Sequence, residues 1–424
     1  MKHLRALIFL FGANTVSGFA QGITMLAIPW HLIQQAGGKQ LNASMVAVVT
    51  LLAMFWGLYA GTLVDKYNRK RIFLTITAID SCCLIGIAWL GWYWGEVPFL
   101  LIAFIYTLTI FTYNVHYPNL YAFVQELFEP EYYARVNSAI EIQGQTTGFI
   151  GMMLGGILLD GTLSIDWWPE AWRFAPWSLH EIFLLDGSTY VVAFFLLSQI
   201  PYTPGPKKQV DKGSTIERLR LGFHYLLERK ELLLFGVASH VIFFSLLVVI
   251  QVLAPIYVKD YLQEAAIVLS SLKGVYSLGA ITAGIIGFSM WIRRTHLVKQ
   301  IIFLLFFAGI IYMIWAFTRS VLITLTGAYL LGICNAGTRI QRITYLVRIV
   351  PNRVIGRVNS IFTVINVSMR VSFISLLAIP FFSAEANGEN IVYACMMLSG
   401  IMFIAGLVLL LHFRRFDHQA AVGQ

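Results

Sequence analysis

The sequence predicts an all-α membrane protein, with twelve transmembrane helices arranged as two pseudo-symmetric six-helix bundles. Three observations carry this prediction. Of 424 residues, 58% are hydrophobic and only 12% charged, about half the charged share of a soluble domain, and the mean hydropathy is +0.73. The apolar residues fall in continuous runs, twelve of them, each near the ~20 residues that a bilayer crossing requires. The tetrapeptide Arg-Val-Asn-Ser occurs twice, at 135–138 and 357–360, about half a chain apart. The composition excludes a soluble enzyme, a disordered chain and a single-anchor protein. Unbroken runs also argue against a β-barrel, whose strands alternate.

The runs lie at 6–33, 43–64, 71–93, 97–124, 137–160, 181–200, 232–258, 266–291, 299–318, 320–346, 358–382 and 390–411. The first follows Lys2 and Arg5 and is too long for the apolar core of a signal peptide; it carries Asn14 and Gln21 and reads as span one. Between spans five and six, Trp167, Trp168, Trp172 and Trp177 form an interfacial aromatic belt. Residues 201–231 open with Pro201-Tyr-Thr-Pro-Gly-Pro and continue as a basic, amphipathic linker. The linker divides the chain into an N-terminal bundle, 1–200, and a C-terminal bundle, 232–424.

Of the thirty lysines and arginines, four fall in outer loops (Lys39, Arg173, Lys259, Arg319) and four inside spans (Lys273, Arg339, Arg342, Arg370); the other twenty-two lie in inner segments. That bias puts both termini in the cytoplasm by the positive-inside rule. The net charge of +9 is therefore spent on topology, and no nucleic-acid partner is expected. Cys82, Cys83, Cys334 and Cys395 sit in apolar runs without CxxC spacing, which excludes a disulfide framework.

Arg135-Val136-Asn137-Ser138 opens span five and Arg357-Val358-Asn359-Ser360 opens span eleven, an offset of 222 residues that links span n to span n + 6. The same offset brings Gly61 near Gly284 and Arg69–Arg71 near Arg293–Arg294. Two parallel six-span halves are the organisation of a rocking secondary transporter.

The loop after span two reads Gly61-Thr-Leu-Val-Asp65-Lys66-Tyr-Asn68-Arg69-Lys70-Arg71. Gly61 is expected to let helices approach closely, and Asp65 to cap a helix or pair with an arginine. These residues resemble the G-x-L-x-D-R-x-G-R-K/R motif of the major facilitator superfamily, with Lys66 for arginine and Asn68 for glycine. Asparagine tolerates the left-handed backbone expected of such a turn. The resemblance extends over all twelve spans. It implies a cytoplasmic latch between the halves built from Gly61, Asp65 and Arg69, with Arg135 and Arg357 of the repeated motif.

Further features are similar to the drug-exporter branch that includes macrolide-efflux proteins: His116-Tyr-Pro118 ending span four, Phe183-Leu-Leu-Asp186 in span six, and Gly151-Met-Met-Leu-Gly155-Gly156 in span five, where Met152 replaces a proline. Siderophore exporters and lysophospholipid flippases share the layout. Proton antiport is implied by the resemblance, although Tyr106 stands where such exporters carry an arginine used in coupling.

Ionisable residues inside spans are costly and therefore candidates for function. Arg370 lies twelve residues past Val358, about 18 Å along the helix, and reads either as a contact for substrate or as half of a structural ion pair. Asp80, about 13 Å past Arg71, reads as a proton carrier or a partner for a cation. Asp186 reads as a coupling residue or a helix-start cap. Asn14 and Gln21 share one face of span one. Arg339 and Arg342, near the inner end of span ten, are expected to snorkel or, if they face the cavity, to make its inner mouth attractive to anions; Lys273, near the outer end of span eight, is expected to snorkel. Glu141 is assigned to the cytoplasmic network around Arg135. Neither His116 nor His240 has a partner at metal-ligand spacing. There is no phosphate loop, G-x-S-x-G or H-E-x-x-H, hence no enzyme, cofactor or ATP drive.

The sequence thus predicts a proton-coupled exporter of an amphipathic small molecule. It would work by alternating access as a monomer, in contact with lipid in a bacterial inner membrane. The alternatives are a siderophore exporter, a lysophospholipid flippase, and a non-transporting receptor.

Overall fold

The computed structural model describes residues 2–129, 132–161, 174–202, 215–287, 296–383 and 389–413, and the regular structure among them is helical. The helices are α1 (Lys2–Gln34), α2 (Gly38–Lys66), α3 (Arg69–Trp94), α4 (Phe99–Leu127), α5 (Tyr133–Asp160), α6 (Leu179–Ser198), α7 (Thr215–Glu228), α8 (Lys230–Val248), α9 (Ala254–Ile256), α10 (Ala266–Gly287), α11 (Leu297–Phe317), α12 (Val321–Ile349), α13 (Asn352–Leu377), α14 (Pro380–Ser383) and α15 (Ile391–Leu411). Two π-helical turns, Val249–Leu253 and Tyr257–Tyr261, flank α9 and carry α8 onward as one long rod.

Each of the twelve apolar runs coincides with a long helix. Among the described residues, eleven are long and apolar enough to cross a membrane. The remaining one, α5, has 28 residues but carries Gln143, Gln145, Thr146 and Thr147 at its centre. Those polar side chains reflect a structural role described below.

The α2–α3 turn corrects one expectation. Asn68 has φ −66° and ψ 125°, an extended rather than left-handed backbone, and its side-chain oxygen accepts the Arg71 N–H at 3.1 Å. Asparagine serves here as the N-cap of α3, a role glycine fills without a side-chain acceptor. Lys70 Nζ donates to the carbonyls of Ser198 (2.7 Å) and Ile200 (2.8 Å), closing the C-terminal end of α6 as basic side chains commonly do.

The chain forms two compact units: Met1–Gln35 with Val49–Asp211 and Ala265–Ser270, and Ala36–Val48 with Lys212–Glu264 and Ser271–Gln424. In the first, α1 packs on α5 and α6, and α3 on α6. The α1–α5 crossing is so close that a Cβ on Gly151 would collide with the Phe19 carbonyl. Asp160, last in α5, accepts the N–H groups of Ala266 (3.1 Å) and Ile267 (2.7 Å), capping the start of α10.

In the second unit, α8 packs against α12, α13 and α15, and α11 against α12 and α15. The Tyr257 hydroxyl donates to the carbonyls of Trp315 (2.8 Å) and Thr318 (3.1 Å), and that of Tyr261 to Ala316 (3.3 Å). These bonds satisfy carbonyls that the end of α11 leaves without helical partners. Pro255 has no N–H for the Gln251 carbonyl four residues back, and the Asn42 amide donates to that carbonyl instead, at 3.4 Å. Linker helix α7 lies on α13, where Gly222 faces the Arg357 carbonyl with no room for a Cβ.

Candidate functional site

A polar cavity of about 50 Å³ opens among α1, α4, α5 and α6 of the first unit, room for a few water molecules. Its α1 wall carries Asn14, Ser17 and Gln21, the first and last being the amides singled out in span one. From α5 come Gln143 and Thr147, which explain why that helix is less apolar than the others. The Gln143 amide donates to the Phe11 carbonyl and the Thr15 hydroxyl of α1. From α4 come Thr112, His116 and Tyr117, and from α6 comes Tyr190, whose hydroxyl accepts the Gln21 amide at 3.3 Å. His116 stands edge-on to Phe73, ring centroids 5.1 Å apart, and packs on Tyr117. It is an aromatic element of this wall.

Asp80 and Asp186 lie one side-chain layer behind the cavity, 2% and 1% exposed. The Thr112 hydroxyl donates to Asp80 at 2.9 Å while its residue lines the cavity. The Thr24 hydroxyl donates to Asp186 at 2.6 Å. Thr24 follows Gln21 by about one turn of α1, and Asp186 precedes Tyr190 by about one turn of α6, so both connect to the same wall. Ser81, next to Asp80, donates to the carbonyl of Gly187, next to Asp186, at 3.1 Å. Among the described residues, one buried oxygen of each carboxylate has no hydrogen-bond partner, Oδ2 of Asp80 and Oδ1 of Asp186. Among the described residues neither forms an ion pair. A buried charge is costly unless a cation or a proton accompanies it, so the arrangement is chemically suited to taking up protons.

The structure joins the two aspartates, Asn14 and Gln21 into one neighbourhood. It also supplies Thr24, Thr112, Gln143 and Tyr190, which the sequence reading passed over. Gln143 had a signal, an amide at the middle of an apolar run; threonine and tyrosine are too common in spans to stand out. Tyr106 is buried in α4, 2% exposed.

The other candidates are placed elsewhere. Around Gly61 no described atom comes within 4 Å of a Cβ position, so no close helix contact there requires a glycine. Arg69 Nε lies 3.7 Å from Glu126 Oε1, and Arg69 Nη1 donates to the Tyr67 carbonyl at 3.1 Å. The side chains of Asp65, Arg135 and Glu141 lie outside the described residues, as do Arg293, Arg294, Trp167, Trp168 and Trp172. Arg357 and Arg370 are half-buried on α13. Two snorkelling expectations are corrected. Lys273 is 4% exposed and Arg342 is 7% exposed, the latter because its guanidinium donates to the Ser239 carbonyl of α8 at 3.0 Å instead of reaching the interface.

Residues 10–374 match the family model of the Major Facilitator Superfamily. The chain belongs to this superfamily. As a major facilitator protein it is a multi-pass membrane transporter and not an enzyme. The multidrug efflux pump Tap of Mycobacterium tuberculosis strain H37Rv is 31% identical over 91 residues, 21% of this chain and 21% of that protein. Tap of Mycolicibacterium fortuitum is 34% identical over 90 residues, 21% and 22% of the two chains. These matches span about a fifth of the curated relatives' length. Among solved structures, a bacterial homolog of the human lysosomal transporter Spinster superposes with TM-score 0.70 at 15% identity, covering 99% of this chain and 98% of that one. The nucleoside transporter NupG superposes with TM-score 0.69 at 13% identity, covering 97% and 99%. A bacterial homologue of the iron transporter ferroportin gives TM-score 0.69 at 17% identity, over 96% and 98%. At these identities the superpositions describe the fold that the major facilitator chain adopts.

Proposed function

We propose that this major facilitator protein is a proton-coupled exporter of an amphipathic, drug-like small molecule, working as a monomer by alternating access of its two six-helix halves. It resides in a bacterial cytoplasmic membrane with both termini inside, as the distribution of lysine and arginine supports. The observation that carries the reading is the pair Asp80 and Asp186: two buried carboxylates, each held by one threonine, each with an oxygen unpartnered among the described residues, behind a water-sized polar cavity. Such a pair can load and release protons through the cavity as its access changes. The residues Gly61, Asp65, Arg69, Arg135 and Arg357 serve as the cytoplasmic latch in this reading. The partial likeness to the efflux pump Tap supports export of drug-like cargo.

The test is uptake into inverted membrane vesicles under an imposed proton gradient, with dyes, macrolides, siderophores and lysophospholipids as cargo. Gradient-dependent accumulation of one of these cargo classes, abolished in Asp186→Asn and Asp80→Asn, is the expected result. Accumulation that ignores the gradient in the unaltered protein would remove proton coupling from the reading.

A further inference from the structure

The interiors of the two units differ in charge. Among the described residues, the buried charged side chains of the first are the carboxylates Asp80 and Asp186. In the second, the sequence between Glu264 and Glu385 contains no acidic residue and eleven basic ones. Six of these stand within α12 and α13: Arg339, Arg342, Arg348, Arg353, Arg357 and Arg370.

Helices α8, α12 and α13 converge around Arg342. Its Nη1 donates to the Ser239 carbonyl of α8 at 3.0 Å. The neighbouring His240 carbonyl accepts the Asn366 amide of α13 at 3.4 Å, and Arg370 follows Asn366 by one turn. Arg339 precedes Arg342 by three residues on the same face and is exposed. Among the described residues Arg342 makes no other hydrogen bond, and no carboxylate lies within ion-pair range of Arg339 or Arg342.

A guanidinium 7% exposed with no counter-charge is a costly thing to keep in a membrane span. If tying α12 to the Ser239 carbonyl were its whole purpose, a single neutral donor would do. Arginine brings five donors in a planar fork that matches a carboxylate or a phosphate. The unit thus presents donors and positive charge suited to an anion.

We propose that Arg342, with Arg339 as its exposed neighbour, is the subsite for the anionic head of the cargo, a carboxylate or a phosphate. The cargo is then an anionic amphiphile. This deepens the exporter reading and rests on it for the hydrophobic part of the cargo alone.

The experiment titrates the full-length protein in lipid nanodiscs, without any proton gradient, and follows tryptophan fluorescence. The probes share one chain length: dodecyl phosphate, dodecanoate and dodecyltrimethylammonium, with inorganic phosphate as the head group without a tail and empty nanodiscs as blank. Both anionic amphiphiles are expected to bind and displace each other, and the ammonium is not expected to displace them. Arg342→Gln should weaken anion binding at least about tenfold, the scale of one hydrogen bond to a charged group. Arg339→Gln should weaken it less. Arg342→Lys keeps the charge and a donor for Ser239 but loses the fork, and an intermediate loss is expected; it also serves should the glutamine variant fail to fold. Displacement by the ammonium as effective as by the anions, or unchanged anion affinity in Arg342→Gln, would overturn the proposal. Inorganic phosphate displacing dodecyl phosphate at equal concentration would overturn its assignment to a cargo head group. Because no gradient is applied, failure here leaves proton-coupled export standing, and failure of vesicle uptake leaves the binding result untouched.

Discussion

Lys39 Nζ lies 2.7 Å from Asp260 Oδ2, with the two side chains 7% and 16% exposed. Lys39 is the second residue of α2, where the helix dipole disfavours a cation, so the carboxylate is what makes a buried lysine tolerable there. Removing one member of such a pair costs about 3–5 kcal/mol, because the other charge is left buried alone. Lys39→Met and Asp260→Asn should each lower the unfolding temperature of the purified protein. The double variant should lose no more than either single one, and the exchange Lys39→Asp with Asp260→Lys should recover part of the loss. Strictly additive losses in the double variant would show that the two residues act independently.

Asn42 gives a second measurable coupling. It is fully buried, and its amide takes the place of the N–H that Pro255 lacks, donating to the Gln251 carbonyl. Asn42→Leu leaves that carbonyl unsatisfied, at a cost of about 1–3 kcal/mol. Pro255→Ala restores an N–H in the helix, so Asn42→Leu should cost less in a Pro255→Ala background. Equal costs in both backgrounds, measured by denaturant unfolding, would break the link between the amide and the proline.

Transport should respond differently to Asp186 and to the threonine that holds it. Thr24→Val removes the donor 2.6 Å from Asp186 while keeping the carboxylate. Uptake into vesicles should fall about tenfold, as for loss of a hydrogen bond to a charged group, yet still rise with the imposed gradient. Asp186→Asn should abolish the gradient dependence itself. A Thr24→Val protein that has lost all dependence on the gradient would mean that the threonine is itself part of the proton path.

The reasons for these outcomes were unevenly visible in the sequence. Helix number and approximate limits were legible because a bilayer imposes a length on every span. Asp80 and Asp186 were legible because an acid inside an apolar run stands out. Their partners were not: Thr24 is 162 positions from Asp186, and threonine is an ordinary residue in a span. Arg339 and Arg342 look alike in sequence, three residues apart on one helix. Only the packing of α8 separates an exposed guanidinium from one bound to the Ser239 carbonyl. Asn68 stands where the motif has glycine, yet its side chain caps a helix. The pairing of Lys39 with Asp260 had no local signal, since each alone reads as a loop charge.

The cluster of Tyr202, Glu126 and Arg69 yields a prediction about pH. The Tyr202 hydroxyl donates to Glu126 Oε2, and Arg69 Nε lies 3.7 Å from Oε1 of the same carboxylate. Burial, and then the bond and the negative charge of Glu126, hold the Tyr202 phenol above its usual range. The folded state thus favours the neutral phenol, and its contribution to stability is fully present below the unfolded value of about 10. It is lost progressively as pH rises beyond that value toward the folded one. Tyr202→Phe should therefore unfold at a lower temperature than the unaltered protein by a constant margin between about pH 7 and 9. The margin should narrow above about pH 10, because the unaltered protein then loses what the phenylalanine never had. In a Glu126→Gln background the margin at neutral pH should already be smaller, since the charged acceptor is gone. Thermal unfolding of the four proteins across this range decides it: a margin that widens with pH would place the Tyr202 phenol below its usual value in the folded protein and remove the Glu126 bond as its stabilising partner.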